Sequence, residues 1–172
     1  MKINKLIVSG IASLLLTTSA NAWLLDGDNY TMLNAGFSAG TIEGEAITSQ
    51  GIGLELGRNL SPDWYASFLA EYAVYNITTN DKNIDIGLKA TTIALKAGYR
   101  PMKTTLIYGL IGLSGKVDTF GPVFGGGLRW DIADHLSLFG EYRRTSVSSS
   151  VGVNNAYVIS SGVVGVQLYF RY

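Results

Sequence analysis

Apolar residues alternate with small or polar residues along most of the sequence after Asn29. A period of two is typical of β-strands with two different faces, because successive side chains point to opposite sides of a strand. The pattern predicts eight strands, at 31–40, 51–58, 64–75, 88–99, 105–114, 123–132, 136–145 and 161–172. The fifth strand is apolar on both faces, so its orientation stays open. Past the N-terminal segment, the sequence has no apolar run of about 18 residues that would predict a membrane-spanning helix.

The connections between these strands alternate in predicted length. Short turns rich in Pro, Asn and Asp, which are turn formers, follow the second, fourth and sixth strands, at 59–63, 100–103 and 133–135. Longer polar stretches follow the first, third, fifth and seventh strands, at 41–48, 76–86, 116–121 and 146–155. This order is typical of an outer-membrane barrel with short periplasmic turns. We expect an all-β, eight-stranded, antiparallel up-and-down transmembrane β-barrel with both termini periplasmic.

The distribution of charge indicates which face of the barrel meets lipid. One face carries Leu, Ile, Val, Phe and Tyr almost without charge, whereas a soluble carrier barrel would turn such residues inward to line its cavity. The other face carries Gly, Ser, Thr and eight charged residues, four acids and four bases. Unpaired burial of a charge is costly, so we expect an ion-pair network in a narrow lumen. Its predicted members are Glu55, Glu71, Lys96, Arg129, Asp131, Glu141, Arg143 and Arg171.

Aromatic residues fall near both predicted membrane boundaries, as expected for the belts of an outer-membrane barrel. The predicted periplasmic belt holds Trp64, Tyr99, Trp130, Phe170 and Tyr172, and the outer belt holds Phe37, Tyr72, Phe124 and Tyr142. Lys89 and Arg144 lie just above the outer belt, where we expect contacts with lipid phosphates. Exposed strand ends explain these two charges equally well.

The first 22 residues predict a cleaved secretory signal peptide. Lys2 and Lys5 precede an apolar stretch at 6–16, and Ala20-Asn21-Ala22 provides the small residues of a cleavage site. The apolar stretch is shorter than the roughly 20 residues of a spanning helix. We therefore expect a barrel domain at 23–172. Because the chain has no cysteine, disulfides, a lipid-modified cysteine anchor and a cysteine nucleophile are excluded.

Three segments near the C-terminus carry a family resemblance. They are Gly125-Gly126-Gly127-Leu128-Arg129-Trp130-Asp131-Ile132, Asp134-His135-Leu136-Ser137-Leu138 and Glu141-Tyr142-Arg143. They resemble a signature of the small outer-membrane β-barrel family that includes the OmpA membrane domain, OmpX and the opacity-type proteins. The resemblance implies a folded outer-membrane barrel with diverse roles. Because the sequence ends at its last predicted strand, we expect a barrel without the periplasmic peptidoglycan-binding domain of full-length OmpA proteins.

The last five residues resemble the C-terminal signal that the barrel-assembly machinery reads. Aromatic residues stand at Phe170 and Tyr172, but Gln167 occupies a position where that signal usually has glycine.

Enzyme chemistry has weak support in the sequence. His135 is the only histidine, and its spacing to Ser137 superficially resembles the lipid A deacylase motif. Nucleophilic catalysis needs a serine, a base and an acid within hydrogen-bond reach, and His135 falls in a predicted periplasmic turn. Scattered carboxylates give no metal-ligand spacing. We expect no catalytic residues, no cofactor and no metal.

The sequence therefore favours a non-enzymatic structural or surface-interaction role, including adhesion, because rigid scaffolds carry recognition on their loops. The expected partners are outer-membrane lipid and lipopolysaccharide, the barrel-assembly machinery, and a host or cell-surface ligand. A formal net charge of zero gives no case for nucleic acid, and we expect a monomer in the outer membrane of a Gram-negative bacterium. Two alternatives stay open: a narrow pore for small solutes or ions, and a lipid A-modifying enzyme.

Overall fold

The computed structural model describes residues 29–42, 44–78, 88–116, 119–148 and 156–171. These residues form eight strands: β1 (Asn29–Ile42), β2 (Glu45–Asn59), β3 (Trp64–Thr78), β4 (Leu88–Met102), β5 (Thr105–Lys116), β6 (Thr119–Ala133), β7 (Leu136–Ser148) and β8 (Ala156–Arg171). The predicted signal peptide at 1–22 and the terminal Tyr172 lie outside the described residues. Within the described ranges, no helix is long and apolar enough to cross a membrane.

Each strand pairs antiparallel with its neighbours in sequence, and the last strand closes on the first. The β1–β8 register runs from Tyr30 opposite Arg171 to Ile42 opposite Ile159, so the described sheet has no free edge. Closure satisfies the backbone N–H and C=O groups of every strand, which a chain crossing lipid requires. The predicted eight-stranded antiparallel barrel is confirmed.

The two ends of the barrel differ in their connections. At the turn end, residues 60–63, 103–104 and 134–135 join consecutive strands, and β1 begins and β8 ends there. At the loop end, residues 79–87 separate β3 from β4, and residues 149–155 separate β7 from β8. These two long connections lie outside the described residues.

Long loops were also predicted from the sequence at 41–48 and 116–121, and these two predictions are wrong. β1 continues to Ile42 and β2 begins at Glu45, so most of 41–48 is paired strand; β5 and β6 likewise take up most of 116–121. Both segments contain β-branched or aromatic residues, which favour strands, and Ile47 is buried. Gly44 adopts a φ of 89°, a left-handed conformation that glycine tolerates, in the β1–β2 connection. The loop end therefore carries two tight hairpins and two longer connections.

The apolar face of the strands points outward. Its exposed large side chains keep 40–68% of their surface accessible. On β6, Phe124, Leu128 and Trp130 point outward, while Arg129 points into the lumen. β5, whose orientation the sequence left open, turns Ile107, Ile111 and Leu113 outward and Leu106, Tyr108 and Leu110 inward.

The outward apolar band has the height of a membrane core. On β6 the outward positions from Phe120 to Trp130 carry no charged side chain, and their one hydrogen-bonding side-chain group is the Trp130 indole N–H at the turn end. Ten residues at about 3.3 Å each extend about 33 Å along a strand. A strand tilt of about 40° reduces this to about 25 Å along the barrel axis, the height of the apolar band in outer-membrane barrels. So large a continuous apolar surface is unsuited to water.

Aromatic side chains border this band at both ends. Near the turn end, Trp64, Tyr99, Trp130 and Phe170 are exposed, and the paired Trp64 and Tyr99 rings have centroids 5.5 Å apart. Nearer the loop end, Phe37, Tyr72, Phe124 and Tyr142 are exposed. These are the positions expected of amphipathic and aromatic residues at the two membrane interfaces.

Candidate functional site

The lumen is filled by side chains. One buried cluster joins Tyr30, Met32, Tyr65, Leu106, Tyr108 and Tyr169, and a second joins Leu69, Ala94, Leu110 and Val123. In an eight-stranded barrel the interior is just wide enough for side chains. Charged groups that share this interior must pair with one another, since their isolated burial is costly.

Glu55 of β2 is the hub of the charged interior. Its carboxylate, on a residue only 1% exposed, accepts hydrogen bonds from five side chains on β1, β3, β4 and β8. The Oε1 atom accepts from the Tyr65 hydroxyl and from Ser67 Oγ at 2.6 Å. The Oε2 atom accepts from Asn34 Nδ2, Lys96 Nζ and Gln167 Nε2, each at 3.2 Å. One carboxylate thus ties five strands together across the lumen.

Ion pairs continue from this hub towards the loop end. Lys96 Nζ lies 3.2 Å from Glu55 Oε2 and 3.3 Å from Glu141 Oε2. Glu141 also accepts a hydrogen bond from Arg143 Nε. Arg143 then forms a bidentate pair with Glu71, at 2.5 and 2.9 Å. We call the run Glu55–Lys96–Glu141–Arg143–Glu71 the central ion-pair chain.

Aromatic groups support the central chain. The Tyr108 hydroxyl donates to Glu141 Oε2 at 2.9 Å, and Lys96 Nζ lies 4.7 Å from the centre of the Tyr108 ring. Such a contact between a cation and a ring face is favourable when both are shielded from water. The signs of the charges alternate along the chain, so each inner member has an opposite charge on both sides.

A separate turn-end cluster consists of Arg100, Arg129, Asp131 and Ser137. Arg100 Nη1 lies 3.0 Å from Asp131 Oδ2, and Arg129 Nε lies 3.1 Å from Asp131 Oδ1. Ser137 Oγ donates to Asp131 Oδ1 at 2.8 Å. From the sequence, Arg100 was expected in a turn at 100–103, which is wrong. β4 continues to Met102, so Arg100 is a strand residue in phase with the inward Lys96, and its side chain reaches Asp131 on β6.

Seven of the eight lumen charges expected from the sequence point inward and have ion-pair partners. The side chain of the eighth, Arg171, lies outside the description. With Arg100, the described members of the central ion-pair chain and the turn-end cluster comprise four acids and four bases. The central chain has one acid in excess and the turn-end cluster has one base in excess, so the two groups balance.

Neutral residues that were not predicted from the sequence complete the network. Tyr65 and Ser67 are in phase with Glu71 on β3, so counting in twos from that charge would have found them. Tyr108 lies on the strand whose faces both look apolar. Gln167 stands where the assembly signal usually has glycine, and in the barrel it is 2% exposed and bound to Glu55.

The side chains leave little free volume in the lumen. A cavity on the loop side of Glu71 and Arg143 has about 10 Å³, and a second cavity at the turn end also has about 10 Å³. A volume of this size accommodates about one water molecule. Between the two cavities, the central ion-pair chain and the two buried apolar clusters occupy the described lumen.

The candidate surface and catalytic residues are widely separated. Lys89 on β4 and Arg144 on β7 are both exposed on the outer face, and β5 and β6 lie between their strands. His135 is exposed in the β6–β7 turn, and its Nδ1 lies 3.1 Å from the Tyr169 carbonyl oxygen. Ser137 is fully buried and donates to Asp131. The described side chains include no hydrogen bond between His135 and Ser137.

The described residues include no group of three or more His, Asp or Glu side chains placed to hold a metal ion. The lumen carboxylates have amino, guanidinium and hydroxyl partners instead.

Comparison with known protein families identifies the kind of β-barrel that this chain forms. Residues 10–170 match the family described as "Outer membrane protein beta-barrel domain". The chain belongs to the outer-membrane β-barrel family. It is a protein of the Gram-negative outer membrane, with its outward apolar band in lipid. Comparison with curated proteins gives no significant match.

Solved outer-membrane barrels share this fold at low sequence identity. The attachment invasion locus protein Ail of Yersinia pestis has a TM-score of 0.55 and 13% identity, covering 84% of this chain and 99% of its own. Neisserial surface protein A has a TM-score of 0.56 and 13% identity, with coverages of 84% and 97%. The N-terminal β-barrel domain of Pseudomonas aeruginosa OprF has a TM-score of 0.50 and 14% identity, with coverages of 84% and 100%.

Proposed function

We propose that this outer-membrane barrel is a non-enzymatic scaffold that presents its loop end for interaction with a host or cell-surface ligand. One observation carries the proposal: ion pairs and apolar clusters fill the described lumen. A filled lumen leaves the loop end and the outer face as the surfaces available for function. Recognition commonly resides on loops that a rigid scaffold positions.

The loop end is proposed to face the outside of the cell, with both termini in the periplasm. Short turns at one end and longer connections at the other are the usual arrangement of outer-membrane barrels, with short turns in the periplasm. The names of two proteins with this fold, the attachment invasion locus protein and Neisserial surface protein A, are consistent with a surface role. Ail has been solved in complex with the heparin analogue sucrose octasulfate, so heparin is a suitable first probe.

Replacement of the β7–β8 connection tests the proposal. β7 ends at Ser148 and β8 begins at Ala156, so exchanging 149–155 for Asn-Gly leaves both strands intact and allows a tight turn. We expect cells that display the variant to lose binding to immobilised heparin or to epithelial cells, while the barrel keeps its heat-modifiable migration on gels. A companion variant replaces 79–87 with Asn-Gly, and comparison of the two variants shows which connection contributes to binding. If neither replacement changes binding to any tested surface, the proposed role is wrong.

Lipid is the second proposed partner. Lys89 and Arg144 are exposed on the outer face, where their charges can meet phosphate groups of lipopolysaccharide. Because β5 and β6 separate their strands, each would contact a different lipid molecule. We expect Lys89→Ala and Arg144→Ala to reduce co-purification of lipopolysaccharide additively. Unchanged lipopolysaccharide content in the double variant would contradict this assignment.

The C-terminal strand is proposed to be read by the barrel-assembly machinery through Phe170 and Tyr172. Phe170 is 52% exposed and faces outward, where a partner can reach it. The closed sheet offers no free edge for pairing with a second copy, so we propose that the folded barrel is a monomer.

The alternative roles have less support from the geometry. A pore requires a passage, and the cavities on the loop side and the turn side of the central ion-pair chain have volumes of only about 10 Å³ each. We therefore expect purified barrel in planar bilayers to give no stable conductance steps; reproducible steps would favour the pore. Lipid A chemistry at His135 is disfavoured because Ser137 points inward, away from lipid, and is bound to Asp131.

A further inference from the structure

A small polar pocket lies at the turn end of the lumen, apart from the surfaces proposed for recognition. It has a volume of about 10 Å³ and is lined by Tyr30, Met32, Asn59, Arg100, Arg129 and Tyr169. The Arg129 guanidinium carbon lies 5.1 Å from the centre of the Tyr65 ring and 5.9 Å from that of Tyr169. Its Nη1 approaches Met32 Sδ at 3.3 Å, and a thioether sulfur is only a weak acceptor.

Three of the lining residues bring buried polar atoms without a hydrogen-bond partner among the described residues: Tyr30 Oη, Asn59 Oδ1 and Arg129 Nε. Tyr30 is 4% exposed and Arg129 is 3% exposed. The contact of Arg129 Nε with Asp131 is an ion pair whose alignment does not make a hydrogen bond. Buried polar groups are nearly always hydrogen-bonded, to protein or to ordered water.

We propose that this pocket binds one ordered water molecule. The water accepts a hydrogen bond from Arg129 Nε, donates one to Asn59 Oδ1, and uses the Tyr30 hydroxyl as its third partner. A volume of about 10 Å³ matches one water, and a stable buried water needs two to four polar partners. The bound water thereby links β1, β2 and β6 across the turn end.

A small anion is the competing ligand, since two guanidinium groups and one carboxylate leave the turn-end cluster with an excess positive charge. The Asn59 Oδ1 acceptor decides between them. A monatomic anion such as a halide, the kind that a pocket of this size could hold, has no proton to donate, so it would leave this buried oxygen unpaired and facing a negative charge. A water molecule can accept a hydrogen bond from Arg129 Nε and donate one to Asn59 Oδ1 at the same time.

A crystal structure of the folded full barrel, grown in sodium bromide and measured at the bromine absorption edge, tests the proposal. We expect a water peak within hydrogen-bond distance of Asn59 Oδ1 and Arg129 Nε, with no anomalous signal. An anomalous peak in the pocket would establish an anion site and overturn the proposal. A pocket without density, in a map that resolves other buried waters, would overturn it equally.

An acceptor variant gives a second, independent result. Asn59→Leu removes the oxygen at similar side-chain size, and we expect the water peak to be lost. Gln50→Leu on the outer face of the same strand is the matched control and should retain the peak. Heat-modifiable migration confirms that each variant is folded. If the water keeps its position and occupancy in Asn59→Leu, Asn59 is not its ligand and the proposal fails.

Discussion

At the scale of single residues, Glu55 bears the largest share of the interior hydrogen bonding. Five donors converge on its carboxylate, including the Lys96 ammonium. The energetic consequence is asymmetric, because a neutral side chain here would leave Lys96 with Glu141 as its one remaining ion-pair partner among the described residues and several buried donors short of an acceptor, even where the intact pair adds little net stability. The position is therefore sensitive to the loss of charge alone.

Glu55→Gln should lower the free energy of unfolding by about 3–5 kcal/mol, the usual effect of removing one member of a buried ion pair. Equilibrium unfolding in urea, with the barrel in lipid vesicles, measures the change. Glu45→Gln on the same strand is the matched control, since Glu45 has no ion pair in the described part of the chain. Equal stabilities of the two variants would contradict the assignment of Glu55 as the hub.

Inward glycines provide the space that the lumen aromatic rings occupy. A Cβ atom on Gly57 would lie 2.5 Å from the Tyr30 ring, and that ring is stacked on Tyr65 with centroids 5.6 Å apart. The same relation holds for Gly165, whose Cβ would lie 2.6 Å from the Phe139 ring. The glycine enrichment of the chain thus follows in part from the crowding of a narrow barrel.

Gly57→Ala should destabilise the barrel by about 1–3 kcal/mol, the typical effect of overpacking. Gly140→Ala is the control, because a Cβ there meets nothing within 4 Å, and we expect a change within about 0.5 kcal/mol. Thermal unfolding, followed by the gel shift between folded and heat-denatured forms, compares the two. A Gly57→Ala barrel as stable as the parent would show that the Tyr30 ring is free to move.

At the scale of strands, the alternation in the sequence predicted the number of strands, their antiparallel order and the direction of most side chains. It did not predict where strands end at the loop end, because a Thr- or Ser-rich segment has the same composition in a polar loop as in a strand. It also could not reveal partners across the lumen. Arg100 is in phase with the inward Lys96 on β4, but the turn predicted at 100–103 ended the strand too early, so its pair with Asp131 was missed.

The β1–β2 hairpin gives a test at this scale. Because Ile47 and Thr48 pair with β1 and β3, their amide protons should exchange with solvent at least about tenfold more slowly than the amide of Lys103 in the β4–β5 turn. Hydrogen exchange followed by NMR in detergent micelles measures these rates. If the amide protons of Ile47 and Thr48 exchange as fast as that of Lys103, then 41–48 is a loop and not a paired strand.

At the scale of the whole molecule, the barrel inverts the usual arrangement of a globular protein. Apolar side chains cover the outside over a height of about 25 Å, and paired charges fill the inside. The hydrophobic fraction of 47% is therefore compatible with a small polar core, because lipid takes the place of a protein interior. The scaffold is closed, and the proposed recognition surface lies at its loop end.

The orientation of the two faces is most directly tested by spin labels in lipid vesicles. The chain has no cysteine, so Leu128→Cys on the outward band and Asp134→Cys in the β6–β7 turn each give a single labelling site. We expect the label at 128 to be relaxed strongly by oxygen, which partitions into hydrocarbon, and weakly by a water-soluble nickel chelate. The label at 134 should show the reverse. Equal access of the nickel chelate to both labels would contradict an outward apolar face buried in the membrane.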